Sequence, residues 1–482
     1  MIPVVYVFAY FLAAMSLSLI VPAIVAAGLG EGAQVVDFLI STVLCIFVAG
    51  AMMLSLSGRE RRLRPAQRYL LALMLWTFLP LVGALPLFLG AVGLSPNDAY
   101  FEAVSALTTT GASVLPAPER LPRSIVLWLG MMQWIGGGLT LLVVVLALAP
   151  TGVGGLPETH ARMIEHGGLP EKRRLVLVVR DVFPIYLSAT ALTFLALAAT
   201  ELDAFEALVL AFSSVSTGGI TPRSVELGEY VSDAGLIVIM LAMLYGATNV
   251  LWHRDLLQLR RRRNLAYRES LWMIGACLVL GLIAGYRYFE ASGRGVWLAM
   301  RDGLFTATSL ITTTGFEVRY AGFEVFTLVV VATVVAIGAA SFSTGGGIKV
   351  FRVGAMLLQG GRELNRLVYP HGVRPSTLAG QAYDMQLMKA IWSGFLAFVL
   401  AAVGLSLMVA AEGIPYDGAV VAALSALSNA GPVYASDWAG AGWPAYAELG
   451  SGTRLMLCAG MILGRLEIVA VLGLIVYAAR RG

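Results

Sequence analysis

Several stretches of this chain are apolar over a length that crosses a bilayer: 35–57, 69–90, 125–150, 176–200, 234–252, 270–289, 385–411 and 454–478. A spanning helix needs about 20 such residues, and in lipid only a helix or a closed barrel satisfies every backbone N–H and C=O. Charged residues make up 13% of the chain and hydrophobic ones 58%, whereas a globular domain is roughly a quarter charged. The sequence therefore predicts an all-α integral membrane protein. The segment from Met1 to about Gly28 has no basic leader and no obvious cleavage site, and reads as a retained first span.

The net charge is +4, but the basic residues do not form a nucleic-acid face. They fall in alternate loops between the apolar blocks: Arg59, Arg61, Arg62, Arg64 and Arg68, then Lys172 to Arg174, then Arg260 to Arg263, then Arg480 and Arg481. Such alternation is the positive-inside pattern and places these loops and the C-terminus in the cytoplasm. Cys45, Cys277 and Cys458 lie in apolar blocks and read as small core residues, without disulfide or metal-cluster spacing.

Four short segments, roughly 100 residues apart, share one pattern. They are AYFEAVSALTTTG (99–111), AFEALVLAFSSVSTG (204–218), WLAMRDGLFTATSLITTTG (297–315) and YDGAVVAALSALSNAG (416–431). Each joins two spanning blocks and opens near an acid: Asp98, Asp203, Asp302 and Asp417. About three helical turns follow, too short to span, and then hydroxyl or amide residues and a glycine. β-Branched runs such as Thr108 to Thr110 disfavour further helix, and glycine opens backbone angles closed to other residues. Non-helical backbone at membrane depth must be enclosed by protein or line a water-filled cavity. Four such segments belong around one axis, where inward carbonyls replace a cation's hydration shell and the negative ends of the short helices favour positive charge. A single copy would read equally as a packing patch of small residues.

With these segments in hand, the chain resembles the superfamily of potassium transporters that includes bacterial Trk and Ktr and the plant and fungal high-affinity uptake proteins. The residues that carry the resemblance are Thr109-Thr110-Gly111, Ser216-Thr217-Gly218-Gly219, Thr313-Thr314-Gly315-Phe316, Asn429-Ala430-Gly431-Pro432, Ser343-Thr344-Gly345-Gly346-Gly347-Ile348-Lys349 and Gly464-Arg465-Leu466-Glu467-Ile468. It runs from about residue 65 to the end, and what precedes looks like the additional helix pair of the Trk branch. The resemblance implies four helix–pore loop–helix units around one pore: 1–64 as the extra pair, then repeats at 65–160, 161–265, 266–375 and 376–482. It implies a filter made of Thr109, Thr110, Gly111, Ser216, Thr217, Gly218, Thr313, Thr314, Gly315, Asn429, Ala430 and Gly431. Gly111, Gly218, Gly315 and Gly431 take the four filter-glycine places that accompany potassium preference. Asn429 and Ala430 depart from the hydroxyl residues of the other three repeats. The resemblance further implies K+ as the permeating ion (with Na+ as the competing one), no bound cofactor, a bacterial inner-membrane location, a homodimer and a cytosolic TrkA-like nucleotide-binding regulatory subunit. Arg162, Lys172 to Arg174 and Arg260 to Arg263 are candidates to meet that subunit, although orientation alone would explain them.

The span after the third pore segment is interrupted from Gly338 to Gly347, ahead of Lys349. So many small residues make a helix easy to break. In the family the matching loop, here Gly338 and Ser343 to Gly347 with Lys349, is the gate beneath the filter; the competing reading is a close helix-packing face. Arg465 lies inside an apolar span, where a charge costs about 2.5–3.5 kcal/mol even on the insertion scale. It reads either as an electrostatic barrier beneath the filter or as a tie for carbonyls freed by the broken helix. The four acids at the pore segments read as helix caps or, less simply, as cation attractors.

The competing function is a symporter coupling potassium to sodium or protons, which calls for broken helices in inverted repeats and an intramembrane acid. The repeats here share one orientation, and Glu467 is the one candidate mid-span carboxylate the sequence offers. An enzyme is disfavoured, because His160, His166, His253 and His371 all fall in expected loops without metal-ligand or nucleophile–base spacing.

Overall fold

A computed structural model describes residues 2–57, 63–90, 92–145, 171–257, 265–293, 295–318, 322–369, 377–378, 381–382, 385–436, 438, 442–466 and 468. The apolar blocks are helices. The first span is Ile2–Ser18 continued by Ile20–Leu29, and it stops where Gly30 turns left-handed at φ 75°. Gly32–Ser55 returns alongside it. Four units follow, each an entering helix, a short pore helix and a leaving helix.

The entering helices are Pro65–Leu89, Glu171–Ala198, Leu265–Ser292 and Met385–Ala411. The pore helices are Pro96–Leu107, Ala204–Ser216, Val296–Ile311 and Tyr416–Leu427, of 12, 13, 16 and 12 residues. At 1.5 Å per residue they reach about 18 to 24 Å, short of the roughly 30 Å of hydrocarbon. They are re-entrant and end inside the protein. Beta structure among the described residues is limited to a two-residue ladder, Thr377–Leu378 with Gln381–Ala382.

Burial separates inner from outer helices. Arg123–Val143, leaving the first unit, is 83% buried over its apolar window, whereas Met385–Ala411 is 28% buried. On the latter, Leu396, Leu400, Val403 and Leu407 are exposed at helical spacing, a stripe that only lipid or another apolar surface would cover.

Among the described residues, two leaving helices are broken. In the third unit Leu328–Ile337 ends at Gly338, at φ 70°, and helix resumes only at Val350–Val368. In the second unit the expected single span 234–252 is instead Asp233–Ala247 and Val250–Leu257, bent by 103°. The sequence hides this bend because its cause is tertiary: the amide and carbonyl groups freed at 246–250 bond to the loop of the third unit. His253, expected in a loop, is buried in the second half of that bend, with its Nε2 2.7 Å from Thr248 Oγ1. His160, His166, His371, Glu467 and the basic runs at 260–263 and 480–481 lie outside the described residues.

Candidate ion-conducting site

Each pore helix ends in the same way. One residue turns left-handed, Thr109 (φ 52°), Thr217 (55°), Thr313 (61°) and Asn429 (53°). The next amide reaches back five residues: Thr110 N to Ser105 O at 2.8 Å, Gly218 N to Ser213 O at 2.8 Å, Thr314 N to Ser309 O at 3.0 Å and Ala430 N to Ser425 O at 2.8 Å. This is the Schellman ending, and it normally takes glycine or asparagine at the left-handed position. A β-branched residue there is an outlier that costs of order 1–3 kcal/mol. Threonine occurs three times because its hydroxyl is used, as described below.

The shared geometry corrects the register expected for the second repeat. Two residues after each left-handed turn stand Gly111, Gly219, Gly315 and Gly431, so Gly219, not Gly218, matches the others. The second non-helical segment is therefore Thr217-Gly218-Gly219, and Ser216 sits with Thr108, Thr312 and Ser428 at the position just before the left-handed residue. Gly218 lacks a side chain for a different reason: the Gln133 carboxamide, from Arg123–Val143, fills the space where its Cβ would project. Gln133 Nε2 donates to Gly218 O at 2.6 Å. In the first and third repeats the same position carries threonine, with Thr110 Oγ1 2.7 Å from Thr108 Oγ1 and Thr314 Oγ1 2.8 Å from Thr312 Oγ1. A lone amide inside an apolar block was the available signal for Gln133.

The four segments meet. Gly431 N donates to Thr110 O at 2.7 Å, and Asn429 Nδ2 donates to Thr110 Oγ1 at 3.0 Å, joining the fourth repeat to the first. A methyl group on Gly111 would strike Gly218 O, one on Gly219 would strike Thr314 O, and one on Gly315 would come within 2.8 Å of Pro432. First to second, second to third, third to fourth and fourth to first, the ring closes. Glycines of the leaving helices bring the outer layer in: Gly136, Gly246 and Gly464 pack on the carbonyls of Leu107, Val215 and Leu427 so closely that any Cβ would collide.

The interrupted span of the third unit lies against the base of this ring. Gly346 N donates to Thr313 Oγ1 at 2.8 Å, and Thr344 Oγ1 lies 3.3 Å from Thr217 Oγ1. The loop is also stitched to the bend of the second unit, by Ala340 N to Ala247 O (3.1 Å), Thr344 N to Gly246 O (3.0 Å) and Val250 N to Phe342 O (3.0 Å). Within it, Lys349 Nζ reaches Gly345 O and Ser343 Oγ reaches Ala340 O, both at 2.5 Å. Gly338, Gly347 and Lys349 have positive φ.

Arg465, in Ser451–Leu466, is buried and completes the base. Nε donates to Thr108 O at 2.6 Å, Nη1 to Thr344 O at 2.6 Å, and Nη2 to Thr109 Oγ1. One guanidinium thus joins the first non-helical segment to the interrupted loop. Beneath lies a water-accessible cavity of about 50 Å³, lined in part by Ser343, Gly345, Lys349, Arg352, Phe398 and Arg465.

Three of the four acids stand at a pore-helix start as expected, Asp98 and Asp417 in the first turn and Asp203 at the N-cap position, whereas Asp302 does not. Asp98, Glu206 and Asp302 each stand eleven residues before the left-handed threonine, and each meets an arginine: Arg454 at 3.0 Å, Arg223 at 2.6 Å and Arg301 at 2.5 Å. Asp302 is mid-helix, Asp203 pairs with Arg123 at 3.4 Å, and Asp417 is exposed. The one side-chain cap at a pore helix is Ser95 Oγ, accepting from Asp98 N. Glu102 and Glu269 are further buried carboxylates. Glu102 accepts from Ser113 Oγ (2.9 Å) and Val114 N (3.0 Å), bracing the chain that leaves the first filter segment. Glu269 Oε1 accepts from Ser341 N (2.6 Å) and Phe351 N (3.1 Å), clamping both sides of the interrupted span. Sequence alone does not single these two out, because Glu102 lies within a pore segment, Glu269 at the edge of an apolar block, and their partners stand 11 to 82 residues away.

The family model for TrkH, described as a cation transport protein, matches residues 35–280 and 291–479 of the chain. That match starts upstream of residue 65, inside the additional helix pair. The Trk system potassium uptake protein TrkH of Escherichia coli K12 is 30% identical over 467 residues, 94% of each chain. The protein of the same name from Halomonas elongata is 31% identical over 446 residues, 90% of each. The crystal structure of the potassium transporter TrkH from Vibrio parahaemolyticus superposes with a TM-score of 0.86 at 27% identity, covering 98% of both chains. Matched along nearly its whole length in sequence and in backbone, with four pore units preceded by an extra pair of helices, the chain belongs to the TrkH family of cation transport proteins.

Proposed function

We propose that the chain takes up potassium through a channel-like pore, with units near 65–160, 161–265, 266–375 and 376–482 following the extra pair 1–64. The observation that carries this reading is the ring of four Schellman turns, each presenting non-helical backbone at the C-terminal, partly negative end of a buried pore helix. The filter segments are Thr109-Thr110-Gly111, Thr217-Gly218-Gly219, Thr313-Thr314-Gly315 and Asn429-Ala430-Gly431. Carbonyls of these segments replace the hydration shell of K+ in preference to Na+. The named potassium uptake relatives support the choice of ion.

The segment Gly338 to Lys349 is the gate. It stands against the filter base, with Gly346 N bonded to Thr313 Oγ1 and Arg465 across it bonded to Thr344 O, which fits a closed pore. Opening requires the loop to leave Thr313 and Thr217 and the guanidinium to leave Thr344. The stitching to the bend at 247–250 offers a route by which a cytosolic TrkA-like nucleotide-binding subunit moves the gate. A homodimer in the bacterial inner membrane, with the basic loops and C-terminus cytoplasmic, completes the proposal.

Coupled symport is the second reading, favoured by the buried Glu269. Its carboxylate, however, is occupied by two backbone amides, and the repeats are not inverted. The deciding experiment is growth at limiting potassium of cells lacking their own uptake systems, with wild type and Gly315→Ser, followed by planar-bilayer recording of the purified chain. Rescue by wild type with unitary currents supports the channel; uptake without unitary currents, dependent on a sodium or proton gradient, supports symport.

A further inference from the structure

The fourth filter segment does not repeat the other three beyond its turn. Gly111, Gly219 and Gly315 are left-handed (φ 78°, 82°, 82°), whereas Gly431 is right-handed at φ −54° and leads straight into the short helix Pro432–Ala435. The carbonyl of Gly431 is consumed inside the protein, accepting from Tyr446 Oη at 3.0 Å and Tyr434 N at 3.1 Å. What the fourth repeat presents at this level is instead the Pro432 ring. A methyl group on Gly111, Gly219 or Gly315 would approach that one ring to 3.3, 2.9 and 2.8 Å. A single ring touching three repeats of a closed circle of four lies where they meet.

The ring is held firmly. Tyr434 stacks on Trp443 (5.8 Å between centroids) and lies 4.8 Å from Tyr446, Tyr434 Oη donates to Pro444 O at 2.8 Å, and Trp438 Nε1 donates to Val433 O at 2.9 Å. Pro432 itself is half-buried. We infer that Pro432 is a fixed, apolar fourth wall at the outermost filter position, which leaves three glycine segments to coordinate the ion there and sets how much of its water a monovalent cation keeps. Fixity marks it as a specificity element and separates it from the loop proposed above as the gate, on the opposite side of the filter. The inference rests on the pore reading above.

Liposomes holding the full chain, Pro432→Ala or Pro432→Ser are compared for K+, Na+ and Cs+ flux, with monodispersity checked first. Opening the fourth side to one water's worth of hydrogen bonding lowers the K+ over Na+ preference about tenfold in both variants. Pro432→Cys adds an independent readout: a small charged thiol reagent applied from the extracellular side stops its flux and leaves wild type, whose Cys45, Cys277 and Cys458 are buried, unchanged. Unchanged ion preference in a monodisperse variant, or flux through modified Pro432→Cys equal to that before treatment, overturns the inference. If wild type itself passes no K+, the pore reading fails first and takes this with it.

Discussion

Replacing Arg465 by alanine removes a full positive charge from the base of the proposed filter. The guanidinium touches Thr108 O, Thr344 O and the Thr109 hydroxyl, so a cation leaving the filter at the level of Thr109 passes within roughly one side-chain width of it. At an effective dielectric of 20, like unit charges 4 Å apart repel by about 4 kcal/mol, close to a thousandfold in occupancy. Partial hydration of the cavity below reduces this, and an increase of about tenfold to a hundredfold in K+ flux is the expected outcome. The same substitution also frees Thr344 O, which loosens the gate by the loss of a charge-assisted bond, about 1.5–3 kcal/mol. Arg465→Lys separates the two effects, since lysine keeps the charge but cannot span three acceptors with one rigid fork. Flux is measured in liposomes with purified, monodisperse protein. The barrier predicts that Arg465→Lys stays within about threefold of wild type while Arg465→Ala rises. Equal flux through Arg465→Lys and Arg465→Ala would refute the electrostatic part, and wild-type flux through both would refute the whole argument.

Three further outcomes follow from the same contacts. Thr313→Val leaves Gly346 N without its acceptor and should raise basal flux about tenfold, since an unpaired buried amide costs about 1–3 kcal/mol in the closed state; equal basal currents would argue against a hydroxyl latch. Gly219→Ala forces alanine to φ 82° against Thr314 O and abolishes uptake, whereas Gly218→Ala collides only with the Gln133 side chain and is partly rescued by Gln133→Ala; growth assays on the single and double variants read this non-additivity, and additive losses would contradict the corrected register. Glu269→Gln weakens two charge-assisted bonds to Ser341 N and Phe351 N, and amide hydrogen exchange should quicken by about tenfold at 339–351 before any change elsewhere.

The helical, membrane-spanning class was legible because apolar block length and lipid's demand for satisfied backbone leave few choices. The fourfold repeat was legible because each copy ends in hydroxyl or amide residues and glycine. The register of the second copy was not. Ser-Thr-Gly-Gly at 216–219 contains two glycines present for different reasons, Gly219 for its left-handed backbone and Gly218 to admit Gln133 from another helix. A glycine required by its own φ and one required by a neighbour's bulk look alike in a sequence. The bend at 247–250 and the Glu269 clamp were hidden likewise, since both depend on partners about 70 to 100 residues away.

The left-handed threonines connect these points. Glycine at 109, 217 or 313 would relieve a strain of order 1–3 kcal/mol at each position, yet three repeats forgo that relief. Each hydroxyl faces the gate layer: Thr109 meets Arg465, Thr217 meets Thr344 and Thr313 accepts from Gly346. In the fourth repeat Asn429, tolerant of the same backbone, instead donates to Thr110 Oγ1 and Met461 O and so ties the filter to itself and to the helix that carries Arg465. Strain at these turns is thus offset by bonds to the loop at Thr217 and Thr313 and to Arg465 at Thr109. On the proposed gating, the Thr217 and Thr313 hydroxyls lose their partners when the loop withdraws while the strain remains, so the inner end of the proposed filter is least constrained in the open state. On the proposed reading, filter and gate form one mechanical unit, and a substitution in either should change both ion preference and basal flux.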